Sequence, residues 1–145
     1  MALRPYLRKV QFYETDGMGV VYHGNYIHWM EEARTDFLDQ LGFGYERMTE
    51  QGIDCALTDI SCSYRKVTTF GQTLAVYLNI ETLTPARMTL SYRMVDAERG
   101  ALHTLASSSH FFYDRQAKRP VALKKKFPEL YAMLQDCAKS QEQSG

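Results

Sequence analysis

One stretch of the chain repeats its apolar residues at helical spacing just before a long run of period-two sequence, and this pairing narrows the accessible folds more than any other feature. Tyr26, Met30, Ala33, Phe37 and Leu41 recur at intervals of four, three, four and four residues, and Ile27, Trp29 and Leu38 widen the stripe. Glu31, Glu32, Arg34, Asp36 and Asp39 occupy much of the other side, so the segment predicts an amphipathic helix with one face to bury. His23, Gly24 and Asn25 mark its start, with Asn25 a candidate cap, and Gly42 and Gly44 end it. Upstream, the β-branched and aromatic bias of Arg4 to Tyr13 predicts a first strand. Downstream, Tyr45 to Gln51 makes one or two helical turns, and Ile53 to Val67 reads as a long strand with irregular alternation. Leu74, Val76, Leu78 and Ile80 then alternate with more polar residues, as do Met88, Leu90, Tyr92 and Met94, and a connection containing Pro85 joins the two as a hairpin. Ala101 to Tyr113 predicts a last long strand, and Phe127, Leu130, Tyr131 and Leu134 a C-terminal helix.

The order is α+β: one strand, one long helix, then consecutive antiparallel strands. With 145 residues the chain makes one domain, expected over residues 1–137, with a polar tail over 138–145. One helix covers one face of such a sheet and leaves its edges open. An apolar edge strand invites pairing with another chain, so the pattern predicts a homo-oligomer. Seventeen Lys plus Arg balance seventeen Asp plus Glu, leaving no global field for a polyanion, so neither nucleic-acid binding nor a general affinity for anionic membranes is expected. No apolar run approaches the roughly 20 residues of a membrane helix, and Arg4, Arg8 and Lys9 interrupt any signal-peptide core, so no membrane insertion is expected. Three cysteines, Cys55, Cys62 and Cys137, form neither a disulfide framework nor a metal motif, which points to a reducing, cytoplasmic setting.

The segment that carries chemistry is Tyr13 to Tyr26, YETDGMGVVYHGNY. It sets Asp16 in a glycine-flanked loop a few residues before the long helix begins. A helix N-terminus presents unsatisfied N–H groups and about half a positive charge, which together polarise a carbonyl oxygen and hold an oxyanion. A carboxylate beside it can attack the carbonyl carbon or deprotonate a water that does so. His23, at the helix start, is positioned to offer its backbone amide or its ring. Physical reading alone stops at a candidate acyl-type site, because an Asp in such a loop is more often a cap or turn residue and a histidine at a helix start is often only a local hydrogen-bonding group. No Ser-hydrolase elbow, Walker loop, dinucleotide fingerprint or metal-ligand spacing occurs, and the chemistry requires no metal or redox cofactor.

The same segment resembles the active-site signature of the 4-hydroxybenzoyl-CoA thioesterase family of hotdog-fold enzymes. That signature runs aromatic, variable, Thr or Cys before Asp, small residues with Gly, Ile or Val before Val, an aromatic, and Asn or Ser before Tyr. HWMEEARTDFLDQLG resembles the family's central helix and RPVAL its closing segment, so the likeness covers about residues 6 to 135. The resemblance implies a hotdog fold, a long central helix wrapped by a curved five-stranded antiparallel sheet, in a homodimer or homotetramer. It implies hydrolysis of a short-chain or aromatic acyl-CoA, with Asp16 as nucleophile or general base and the His23 amide holding the oxyanion. Tyr22, Asn25 and Tyr26 of the segment and Trp29 of the helix are the candidate substrate-binding residues. Arg65 and Lys66 are candidate contacts for the CoA phosphates, beside Arg93 and the run Lys124 to Lys126. An acyl carrier protein as the acyl donor, or an acyl-CoA-binding protein without catalysis, are the alternatives that the residues leave open.

Overall fold

The computed structural model describes residues 3–144, with side chains through residue 141. The chain runs through β1 (Tyr6–Lys9), a single 3₁₀ turn (Phe12–Glu14), α1 (Gly24–Gln40), α2 (Tyr45–Gln51) and β2 (Ile53–Tyr64). It continues through β3 (Thr73–Leu83), β4 (Arg87–Asp96), β5 (Leu102–Asp114), β6 (Arg119–Pro120), α3 (Leu123–Lys126) and α4 (Pro128–Ser144). Every strand pairing is antiparallel, in the order β1-β3-β4-β5-β2, with β6 pairing the end of β5. This curled sheet with α1 as its long helix is the α+β hotdog arrangement expected from the sequence.

The helix lays Trp29, Met30, Ala33 and Phe37 against Leu74, Val76, Leu90, Tyr92 and Met94 of the sheet in one continuous core. Each such fully buried large side chain contributes about 1.5–3 kcal/mol of hydrophobic stabilisation. A polar chain lies inside this core. Arg34 Nη1 donates to Tyr92 Oη at 3.0 Å, Tyr92 and Ser108 share a hydroxyl hydrogen bond of 2.6 Å, and Ser108 meets His110 Nε2 at 2.8 Å. Burial, with the Arg34 charge beside it, pushes the His110 imidazole down to about 4, so the ring is neutral.

The elements differ from the sequence reading at their ends. β1 stops at Lys9 because the chain folds into the 3₁₀ turn, which carries Glu14 into the interior. β2 stops at Tyr64 rather than Val67, since the N–H groups of Arg65 and Lys66 both turn to the carbonyl of His103. The N-cap of α1 is His23, not Asn25, and among the described residues no side chain caps the helix. Arg119–Pro120 of RPVAL adds the two-residue β6. The C-terminal helix runs past Leu134 to Ser144, so the segment read as a tail is helical as far as it is described, and Gly145 lies outside the described residues. Gln141 on that extension accepts a hydrogen bond from the Ile80 N–H at 2.9 Å, next to the register shift between Ile80 and Thr82.

Candidate active site

The Asp16 loop is a miniature hairpin. Tyr22 N–H donates to the Glu14 carbonyl at 2.9 Å, Thr15 and Val21 form a bridge, and Asp16 N–H donates to the Val20 carbonyl at 2.8 Å. Gly19 closes the turn with its N–H on the Asp16 carbonyl at 3.0 Å and a φ of +80°, a region that glycine enters without the Cβ penalty. Val21 N–H on the Thr68 carbonyl at 2.8 Å and a bridge between Val20 and Thr69 tie the return leg to the segment after β2. Asp16 is exposed, and its Oδ1 accepts from Met18 N–H at 2.8 Å and more weakly from Val20 N–H at 3.4 Å. Among the described residues nothing donates to Oδ2, so one carboxylate oxygen is held and the other is unengaged.

That loop delivers the chain directly into α1. No acceptor among the described residues takes the His23 or Gly24 N–H, as expected for the first amides of a helix. Tyr64 Oη donates to the His23 carbonyl at 3.2 Å, and the His23 ring leans on Tyr22 with 4.2 Å between centroids. A cavity of about 180 Å³ opens here, with His23, Tyr26, Tyr64, Arg65, Lys66 and Thr68 in its wall. Tyr26 stacks obliquely on Tyr64 at 5.0 Å and donates its hydroxyl to Thr68 Oγ1 at 3.0 Å, and Thr68 in turn meets His103 Nδ1 at 2.8 Å. Burial holds the Tyr26 hydroxyl above its ordinary value, and burial beside Lys66 holds the His103 imidazole below its own, so this chain of polar groups is uncharged.

Of the residues singled out in the sequence, His23, Tyr26, Arg65 and Lys66 share this cavity. Asp16 stands in the loop whose return leg supplies Val20 and Val21 to the same wall, and Tyr22 lies half-exposed against His23. Asn25 turns away, donating Nδ2 to the Glu14 carbonyl at 2.9 Å. Trp29 is not in the cavity wall. It is fully buried, and its indole N–H donates to Glu14 Oε2 at 2.9 Å. Larger clefts lie elsewhere, one of about 470 Å³ beside α4 and one of about 380 Å³ beside Arg34, and neither includes Asp16 or His23.

Sequence reasoning missed Glu14, Tyr64, Thr68 and His103. Glu14 is the most consequential, a carboxylate only 2% exposed between an exposed loop and a helix. The one signal for it was Trp29, because an indole N–H on a buried helical stripe needs an acceptor from somewhere.

The sequence profile of the thioesterase-like superfamily matches residues 10–134. The chain belongs to this superfamily. As a thioesterase-like protein it is 34% identical over 131 residues to YneP of Bacillus subtilis (strain 168), provisionally named an acyl-CoA thioesterase, covering 90% of this chain and 94% of that one. It is 31% identical over 109 residues to the 1,4-dihydroxy-2-naphthoyl-CoA hydrolase of Thermosynechococcus vestitus, covering 74% of each. The crystal structure of DHNA-CoA thioesterase from Staphylococcus aureus superposes with a TM-score of 0.90 at 29% identity, over 98% of this chain and 95% of that one. The thioesterase-like fold therefore extends over nearly all the described residues. Among those residues, no helix is long and apolar enough to cross a membrane.

Proposed function

We propose that this chain hydrolyses acyl-CoA thioesters, releasing a free acid and CoA, with Asp16 and the His23 backbone amide as its catalytic groups. The observation that carries the reading is the unengaged amide pair at the start of α1, set beside a cavity that one loop joins to a half-free carboxylate. The thioester carbonyl oxygen accepts the His23 N–H, where the helix terminus stabilises the negative charge that builds as the carbon becomes tetrahedral. Asp16, through its unengaged oxygen, takes the proton of a water that attacks that carbon, and the CoA thiolate leaves and takes up the proton. Alternatively Asp16 attacks the carbon itself and expels the thiolate, and water then hydrolyses the resulting anhydride to free acid and carboxylate. One oxyanion donor is worth about 3–4 kcal/mol and a positioned base about 10²- to 10⁴-fold. Tyr26 and Tyr64 give the cavity aromatic walls, and Arg65 and Lys66 at its rim suit the phosphates of CoA.

An aromatic acyl group suits these walls, and relatives named for 1,4-dihydroxy-2-naphthoyl-CoA support it. The cavity is smaller than the roughly 300 Å³ of ordinary ligand pockets, so the reading includes a homodimer or homotetramer in which a second copy completes the acyl site. β2 is a long open edge of the sheet with Leu57 and Tyr64 about half exposed, which favours association there. The setting is cytoplasmic, in keeping with three free thiols. An acyl carrier protein in place of CoA is the second reading, favoured by the basic residues at the rim.

The test is turnover of a panel of aliphatic and aromatic acyl-CoAs, and of one acylated carrier protein, followed by thiol release. Asp16→Asn is expected to lose at least 10²-fold in kcat while melting like the parent protein. Parental turnover in a folded Asp16→Asn protein would remove Asp16 from the reaction.

A further inference from the structure

Glu14 is bound on both of its oxygens from opposite sides. Oε1 accepts from Arg8 Nη1 at 3.1 Å and from the Gln11 N–H at 2.8 Å, while Oε2 accepts from Arg8 Nη2 at 2.9 Å and from Trp29 Nε1 at 2.9 Å. Arg8 is fixed in turn by Glu32, whose Oε1 takes Arg8 Nε at 2.9 Å and Tyr6 Oη at 2.8 Å. A buried carboxylate is tolerated only with this degree of compensation, and a network so fully paired is rigid. The side chain of Glu14 thus rivets β1 to α1. Its main chain does something different: the same residue's carbonyl accepts the Tyr22 N–H and Asn25 Nδ2, each at 2.9 Å. Glu14 therefore stands at the root of the Asp16 hairpin and holds the hairpin's return leg and the first turn of α1.

We infer that Glu14 is a positioning residue, which fixes the Asp16 carboxylate relative to the His23 amide; this rests on the catalytic roles proposed above. The hairpin's return leg joins the two groups: Glu14 precedes Asp16 by two residues of chain, and its carbonyl holds the other end of the connection at Tyr22 and Asn25. Glutamine in its place has the same shape, but in either orientation its NH₂ meets two donors, Arg8 and Gln11 or Arg8 and Trp29. The amide must turn away from one pair, and the hairpin root moves with it.

The experiment measures kcat and KM of the full chain on benzoyl-CoA and butyryl-CoA for Glu14→Gln, Asp16→Asn and the double variant, with thermal melting as the check on folding. The expected result is a loss of at least tenfold in kcat for Glu14→Gln, with KM within about twofold of the parent. In the Asp16→Asn background the same change is expected to cost no more than about twofold, because Glu14 acts through Asp16. Parental kcat in Glu14→Gln, or the full loss repeated on top of Asp16→Asn, overturns the inference. An inactive Asp16→Asn beside a fully active Glu14→Gln sinks the inference alone, whereas an active Asp16→Asn sinks the catalytic reading beneath it. Should Glu14→Gln fail to fold, Asn25→Ala tests the same linkage from the helix side. It is expected to lower kcat about threefold in the parent and not in the Asp16→Asn background, and equal losses in both count against the inference.

Discussion

Two glycines in the Asp16 loop, two residues apart, should respond oppositely to alanine. A Cβ built on Gly17 or on Gly19 meets nothing within 4 Å, so neither substitution is opposed by crowding. The difference lies in the backbone, because Gly19 sits at φ +80° and Gly17 lies outside the left-handed region. An L-residue in the left-handed region costs about 1–2 kcal/mol. A residue that replaces glycine without strain gains about 0.4–1 kcal/mol by restricting the unfolded chain. Gly17→Ala is therefore expected to be neutral or slightly stabilising. Gly19→Ala is expected either to lose about 1–2 kcal/mol of stability or to relieve its strain by rearranging the loop. Since 1.4 kcal/mol is a factor of ten, the second route shows as roughly a tenfold loss of kcat/KM. Urea denaturation and acyl-CoA turnover on the same preparations separate the two routes. Gly19→Asn should be milder than Gly19→Ala, because asparagine tolerates this conformation. Parental stability and activity in Gly19→Ala, or equal damage from Gly17→Ala, would refute the argument.

His110 gives the fold a dependence on pH. Its native value near 4 lies below the ordinary 6.5, so below pH 6.5 the unfolded chain takes up a proton that the native state refuses, and stability falls as the pH drops from 6.5 toward 4. The loss is about 2 kcal/mol by pH 5, readable as a shift of the urea midpoint that shrinks in His110→Gln. Trp29→Phe removes an indole donor from Glu14 and leaves a void in the core; it is expected to cost about 2–4 kcal/mol in urea denaturation. The double change Arg65→Ala with Lys66→Ala is expected to raise KM for acyl-CoA several-fold with kcat little altered, and to flatten the dependence of KM on salt. An unaltered KM would place the CoA phosphates elsewhere.

The parts of the fold that were legible in the sequence are those whose signal is local and repeated. The stripe from Tyr26 to Leu41 and the alternation of β3 and β4 record burial on one face, which period alone reveals. The loop with Asp16 and the helix start at His23 were legible as neighbours in sequence. What escaped was set by partners distant along the chain. Glu14 reads as one more polar loop residue until Arg8 and Trp29 are seen to converge on it. Trp29 looked like part of a pocket wall because an apolar helical face does not say which of its members face a cavity and which face a buried carboxylate. The last turns of α4 read as a polar tail, since the contact that gives Gln141 its place is with Ile80, on a strand 61 residues earlier. Thr68 and His103 come together only through the sheet, and no spacing announces them.

The hairpin from Glu14 to Tyr22 is fastened at its root and along its return leg, whereas its tip carries Gly17 and a Met18 side chain that is 85% exposed. Met18 contributes its backbone N–H to the Asp16 carboxylate, a bond that any residue except proline supplies. The side chains at the tip are thus uncoupled from the means by which Asp16 is held. Under the proposed reaction, substitutions at the tip can accumulate one residue at a time while the backbone bond that holds the Asp16 carboxylate is kept.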